Sequence, residues 1–282
     1  MNNYLSLLKE ILEHGDDRQG RNGVTRGLFT RQLRFKMSDG FPVVTTKKLA
    51  FRSTAAELFF FMSGCTDNKV LQQLGCNIWT ANAEADYWKP KAEYEGDLGH
   101  IYGFQWRFWQ GPNGKVIDQL QDTIDKLRTN PSDRRMIVSA WNPGELDMMA
   151  LPPCHMMFQF YSINDRLSLH MFQRSCDMFL GVPFNITSYA LLLHLLSQMT
   201  GQVADELVLT LGDAHIYENH FDQVRLQLSR EPYSLPALWI NPRIKNLSDI
   251  EVRDMISSRD VSTIVKLKGY QYHPKIEAEM SV

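Results

Sequence analysis

A cysteine sits where a strand should be starting. In "ALPPCHMMFQFYS", Ala150 to Ser162, Cys154 follows two prolines, precedes a histidine and opens an alternating apolar run. A lone cysteine is usually a small buried hydrophobe. Three features argue here for a nucleophile. Pro152 and Pro153 fix the backbone and keep a regular strand from starting before Cys154. His155 adjoins the thiol, although consecutive strand residues face opposite ways, so a structural role suits His155 better than that of its base. An arginine-bearing run, "FQRSCD", is expected beside it across a hairpin. A cationic neighbour favours the thiolate, the form that attacks.

Other polar residues could serve such a nucleophile. Arg134 and Arg135 stand in "SDRR", Arg174 and Ser175 in "QRS", and Arg21 in "GRNG". Taken alone, "SDRR" reads as a solvated turn. Guanidinium forks match phosphate oxygens in pairs, however. Beside a strand-end thiol, the cluster points to a phosphate monoester. Asn185 opens a helix expected to be buried, where an unpartnered amide costs about 1–3 kcal/mol. It is either a helix cap or an amide presenting one donor and one acceptor to a heterocycle edge. "GDAHIYENH" offers Asp213, His215, Tyr217 and His220. It lacks a clear third metal ligand, so no metal is expected. His215 and Tyr217, two apart on one strand face, suit a sugar hydroxyl.

These residues need elements to carry them. The chain has 282 residues, 44% of them apolar, which is enough to bury a core. A net charge of -2 gives no electrostatic case for DNA or an acidic membrane. The four cysteines, Cys65, Cys76, Cys154 and Cys176, form no CxxC pair. "MNNYLSLLKEILEHG" has apolar residues at helical spacing and not the continuous run of a signal peptide. No apolar stretch is long enough to span a bilayer. A cytoplasmic protein with reduced thiols is expected.

The stretch from about Asn82 to Gly99 is polar and reads as an insertion or mobile loop. "GPNG" makes a turn, and Ile117, Leu120, Ile124 and Leu127 mark a helix face that "NPSD" ends. "RRMIVSAWN" is strand-like. "MMFQFYS" and "RLSLHMFQRS", either side of "IND", read as antiparallel neighbours. "PFNITSYALLLHLLSQMTG" is apolar nearly all round and marks a long central helix. "LVLTLGDAHIY" is another strand. The expected fold is α/β (α+β): one domain over 1–282, with a largely antiparallel or mixed sheet, a long buried core helix and surrounding helices. The order of elements does not suit a βαβ nucleotide fold, and no GxGxxG or Walker loop is present.

Eight blocks, in order, resemble the folate-dependent thymidylate synthase family: "DGFPVVTTKK", "AELFFFMSG", "NIW", "DLGHIYGFQWR", "DRRMIVSAWNPGELDMMALPPCH", "FQRSCDMFLGVPFNITSYALL", "GDAHIYENH" and "LQLSREP". The resemblance covers almost the whole chain. It implies that Cys154 adds to C6 of dUMP, that Arg21, Arg174 and Ser175 hold its phosphate, and that Asn185 reads the uracil edge. It implies that Arg134 and Arg135 come from the other subunit of a homodimer. Asp177 would lie near the pyrimidine and the folate pterin, and His215 and Tyr217 would bind the deoxyribose 3′-hydroxyl. Glu57 would organise a proton-transfer water network, and Tyr102 would assist proton removal at C5. Ile78 and Trp79 would pack on the co-substrate, 5,10-methylenetetrahydrofolate, and the tail ending in Val282 would close over the site.

Some positions depart from the family pattern. "RNGVTRGLF" is one residue shorter than the usual glycine-threonine loop. Asn82 stands where a second tryptophan is frequent, Leu211 replaces a glycine, Phe104 replaces a lysine, and the tail reads "EAEMSV". The expected activity is reductive methylation of dUMP to dTMP, with no metal and no DNA. Its rival is a dUMP 5-hydroxymethylase, in which water replaces hydride, as in viruses with modified DNA. Trp79, as a shield against water, favours the reductive outcome. A third reading, an inactive binding or RNA-regulatory homologue, is disfavoured because the cysteine, the arginines and the asparagine are all retained.

Overall fold

The computed structural model describes residues 1–20, 22–250, 255 and 260–280. The elements in order are α1 (Asn2–His14), β1 (Asp16–Gly20), β2 (Gly23–Lys36), α2 (Phe51–Ser63), α3 (Asn68–Gln73), α4 (Thr80–Ala83), α5 (Tyr102–Phe108), β3 (Trp109–Gln110) and β4 (Val116–Ile117). They continue with α6 (Gln119–Thr129), β5 (Ile137–Ser139), β6 (His155–Ile163), β7 (Arg166–Asp177), α7 (Gly181–Thr200), β8 (Val203–Tyr217), α8 (Phe221–Leu228), β9 (Ala237–Ile240) and β10 (Val265–Lys268). Six strands form one sheet in the order β1-β2-β8-β7-β6-β5. Two small ribbons, β3 with β4 and β9 with β10, stand apart from it. The class is the expected mixed α/β with a mostly antiparallel sheet.

The β6–β7 hairpin closes through Asn164 and Asp165, both at positive φ (50° and 57°). This left-handed pair matches the twist of the strands it joins. Alternation then sorts the side chains: Phe158, Phe160, Leu167, Leu169 and Met171 are buried, while Tyr161 and Ile163 face out. One junction differs from the sequence reading. β7 and β8 run parallel, so β7–α7–β8 is a single βαβ crossover inside an otherwise antiparallel sheet. It was hard to see because strand direction follows from the crossover and not from the composition of β8.

Helix α7 packs against β7, β8 and α2. It is buried almost along its whole length, which is why its sequence is apolar on every side. Gly201 ends it in the left-handed conformation at φ 73°, where a Cβ would be strained. No helix among the described residues is long and apolar enough to cross a membrane.

The stretch from Asn82 to Gly99 is ordered, contrary to its polar look. Trp88 is 2% exposed, and its indole N–H donates to the Asp97 carbonyl at 2.7 Å. The buried Asp97 carboxylate accepts from the Glu93 and Gly99 amides. Gly99 is at φ +67°, and a Cβ there would come within 2.6 Å of the Trp88 ring. One buried aromatic with its polar atom satisfied, together with the buried Ala83, Asp97 and Leu98, thus anchors a segment that is otherwise largely solvated. Trp88→Ala is expected to destabilise the protein by about 3–5 kcal/mol, measurable as a lowered urea midpoint.

Candidate active site

The chain turns sharply before β6. Leu151 to Pro153 cannot join the ladder, so β6 begins at His155 and leaves Cys154 at its mouth. Two residues, Tyr102 and Arg174, fix the backbone around the thiol. The Cys154 amide donates to the Tyr102 hydroxyl oxygen at 2.8 Å. The Arg174 amide donates to the Cys154 carbonyl at 2.8 Å. The Arg174 guanidinium donates to the Pro152 and Pro153 carbonyls, each at 2.9 Å, and lies 5.3 Å from the Trp141 ring centroid. The arginine-bearing strand does run beside the cysteine. Its charge, however, does not dominate the thiol: burial pushes the Cys154 pKa up, Arg174 pulls it down and Asp177 adds to the rise. The expectation of a thiolate favoured by its cation therefore needs correcting. Burial outweighs the cation, because desolvation penalises the charged form.

Behind the thiol lies a wall of rings from α2, α5 and the segment before α4. Tyr102 stacks on His155 with centroids 4.0 Å apart, with Phe61 at 4.9 Å and Trp79 at 6.0 Å from it. The His155 Nδ1 and the Tyr189 hydroxyl are 2.8 Å apart. Burial lowers His155 to about 3, so its ring is neutral. Trp79 donates its indole N–H to Glu57 Oε1 at 2.7 Å. Burial raises Glu57 to about 7, with the Trp79 bond opposing the rise. This carboxyl can gain or lose a proton near neutrality. Trp79 is 6% exposed and Ile78 41%, so of the two residues expected against folate, only Ile78 presents much surface.

The strand ends and α7 supply the polar groups. Asn185 is not a cap: it is the fifth residue of α7, whose N-cap is Leu180. The entry to that helix is instead held by Asp177, whose Oδ1 accepts the Phe179 and Leu180 amides at 3.0 Å each. Asn185 Oδ1 accepts from Gln173 Nε2 at 3.1 Å, and the same Gln173 amide reaches the Ser175 carbonyl. His215 and Tyr217 are together near the end of β8, ring centroids 5.3 Å apart. His215 Nδ1 lies 3.2 Å from Asp213 Oδ1, and Asp213 pairs with Arg18 of β1.

Arg134 and Arg135 stay away from this group. Both are exposed near the entrance to edge strand β5, and Arg135 pairs with Asp133. Arg21 and Val282 lie outside the described residues. Among the described residues, no cluster of three or more His, Cys, Asp or Glu side chains is placed to hold a metal ion.

Two residues at the site escaped the sequence reading. Gln173 lay unremarked inside "FQRSCD". Lys47 is buried, donates to the Phe179 carbonyl at 2.6 Å, and is lowered to about 7 by burial, with Asp177 opposing. The available signal was a lysine directly following "FPVVTT", a run too apolar for a solvated charge. A family model described as thymidylate synthase matches residues 2–282.

Proposed function

The chain belongs to the thymidylate synthase family, and from that premise we propose that it converts dUMP to dTMP by reductive methylation. The family consists of one-carbon transferases that use methylenetetrahydrofolate. The observation that carries the reading is the seating of Cys154, with Tyr102 on its amide and Arg174 on its carbonyl and on the two before it. A cysteine whose backbone is held at a strand mouth by a phenol and a guanidinium supports the reading of a nucleophile over that of a space-filling side chain.

In this proposal Cys154 Sγ adds to C6 of the uracil ring, giving an enolate that makes C5 nucleophilic. Asn185, steadied by Gln173, meets the uracil edge, where fixed donors stabilise developing charge. Arg174 and Ser175, with Arg21, hold the phosphate. His215 and Tyr217 take the 3′-hydroxyl. Methylenetetrahydrofolate supplies the carbon at C5. Loss of the C5 proton expels tetrahydrofolate, which then gives hydride to the exocyclic methylene and leaves as dihydrofolate while the bond between Cys154 and C6 breaks to free dTMP. Asp177 lies beside the folate, with Ile78 and Trp79 as its apolar wall and Val282 in the closing tail. Tyr102 helps remove the C5 proton, and Glu57 passes protons through water. Arg134 and Arg135 serve a second copy in a homodimer; their exposure, together with that of Tyr161 and Ile163 on the open sheet face, supports this. A cytoplasmic setting suits these substrates.

The retained Trp79, fixed on Glu57, favours hydride over water as the last reactant. Incubation with dUMP and methylenetetrahydrofolate is expected to yield dTMP and dihydrofolate. Hydroxymethyl-dUMP with tetrahydrofolate would reassign the protein as a hydroxymethylase. Bound dUMP without turnover would make it a binding protein.

A further inference from the structure

Residues 147–150, just before the thiol loop, are strapped to the 82–100 segment from several directions. The Tyr87 hydroxyl donates to the Ala150 carbonyl at 2.7 Å. Lys91 Nζ donates to the Asp147 carbonyl at 3.1 Å. The His100 amide donates to the Met148 carbonyl and the Ala150 amide to the Leu98 carbonyl. Met149 also forms a bridge with Gly99. Beyond Ala150, which is fully buried, only Leu151, Pro152 and Pro153 precede Cys154. Pro152 and Pro153 have no amide hydrogen, so the middle of this short loop can be held only through carbonyls and side chains.

Tyr87 is 56% exposed. An aromatic ring left largely in water is not placed by packing, and its single directional contact with this loop is the hydroxyl bond to Ala150. We infer that Tyr87 is a positioning residue: through the Ala150 carbonyl it holds the thiol loop closed and sets Cys154 against Tyr102 and Arg174. The inference deepens the proposed function and rests on it for the catalytic part. A single hydrogen bond of ordinary net worth shifts a local opening equilibrium roughly two- to twelvefold. Small misplacements at a reacting atom carry large rate penalties.

Tyr87→Phe deletes the hydroxyl and keeps the ring. Two readouts apply. The first is iodoacetamide alkylation followed cysteine by cysteine by mass spectrometry, with Cys65 as the internal reference. Cys154 of the variant is expected to alkylate at least threefold faster than in the wild type, with Cys65 unchanged. The second is steady-state turnover, where kcat is expected to fall at least fivefold while KM for dUMP stays within twofold. Any smaller rise in Cys154 alkylation overturns the inference. So does a Tyr87→Phe variant that matches wild type where only Tyr87→Ala is impaired, because the ring and not the hydroxyl would then be responsible. A wild type that alkylates as described but turns over no dUMP overturns the function reading and leaves the positioning role standing on the alkylation result.

Discussion

Cys154→Ser is expected to lower turnover by roughly 10⁴-fold or more, the scale seen when a covalent nucleophile is removed. The hydroxyl is close in size to the thiol, so the loop from Leu151 should keep its seat on Tyr102 and Arg174. What changes is the attacking group. A serine hydroxyl is far harder to ionise than a thiol, and burial, which already raises Cys154, would raise it further. Because the proposed phosphate, sugar and uracil contacts come from other residues, dUMP affinity should stay within about tenfold of wild type. Turnover by dihydrofolate absorbance and binding by calorimetry separate the two effects. A mass spectrum after incubation with 5-fluoro-dUMP and methylenetetrahydrofolate should show a covalent adduct on wild type and none on the variant. Retained turnover would remove Cys154 from the mechanism.

Glu57→Gln should slow turnover about 10²–10³-fold, as expected when a positioned proton donor and acceptor is lost, and should at the same time stabilise the protein in alkali. The folded Glu57 pKa is raised from 4.5 to about 7. Its contribution to stability is therefore fully present below 4.5 and is lost as pH rises through 7. At pH 8 the folded state holds an ionised carboxylate in a poorly solvated place, at a cost on the order of 3 kcal/mol relative to acid. Glutamine keeps an oxygen for the Trp79 indole and carries no charge. Urea titrations at pH 5 and pH 8 should show wild type losing about 2.5 kcal/mol more than the variant across that interval. His155 and His194, lowered by burial to about 3 and about 4, act in the opposite direction. Below about 6.5 the unfolded chain takes up protons that the folded chain refuses, so both proteins weaken in acid alike. The difference between variant and wild type thus isolates Glu57. Equal slopes in both titrations would mean that the carboxyl is better solvated than its surroundings suggest.

The hairpin, the central helix and the strand-mouth cysteine were all legible in the sequence, because each has a local cause: alternation with a tight turn, an all-apolar run stopped by glycine, and two prolines in succession. The parallel pairing of β7 and β8 was not, since strand direction depends on a crossover and not on composition. The order of the 82–99 segment was hidden for a similar reason. One tryptophan and one aspartate fix it, and their partners are visible only once folded. The site divided along the same line. Arg174 beside Cys154 followed from hairpin pairing, whereas the stacking of His155 on Tyr102 joins residues 53 positions apart. The charge balance at the thiol went wrong because sequence shows which cation is near and not how much water has been excluded.

The burial that pushes the Cys154 pKa up bears on how long the molecule lasts. Peroxide attacks thiolate, and sulfenic acid forms slowly on a sulfur that keeps its hydrogen. The dry surroundings that make this thiol hard to activate should also slow its oxidation.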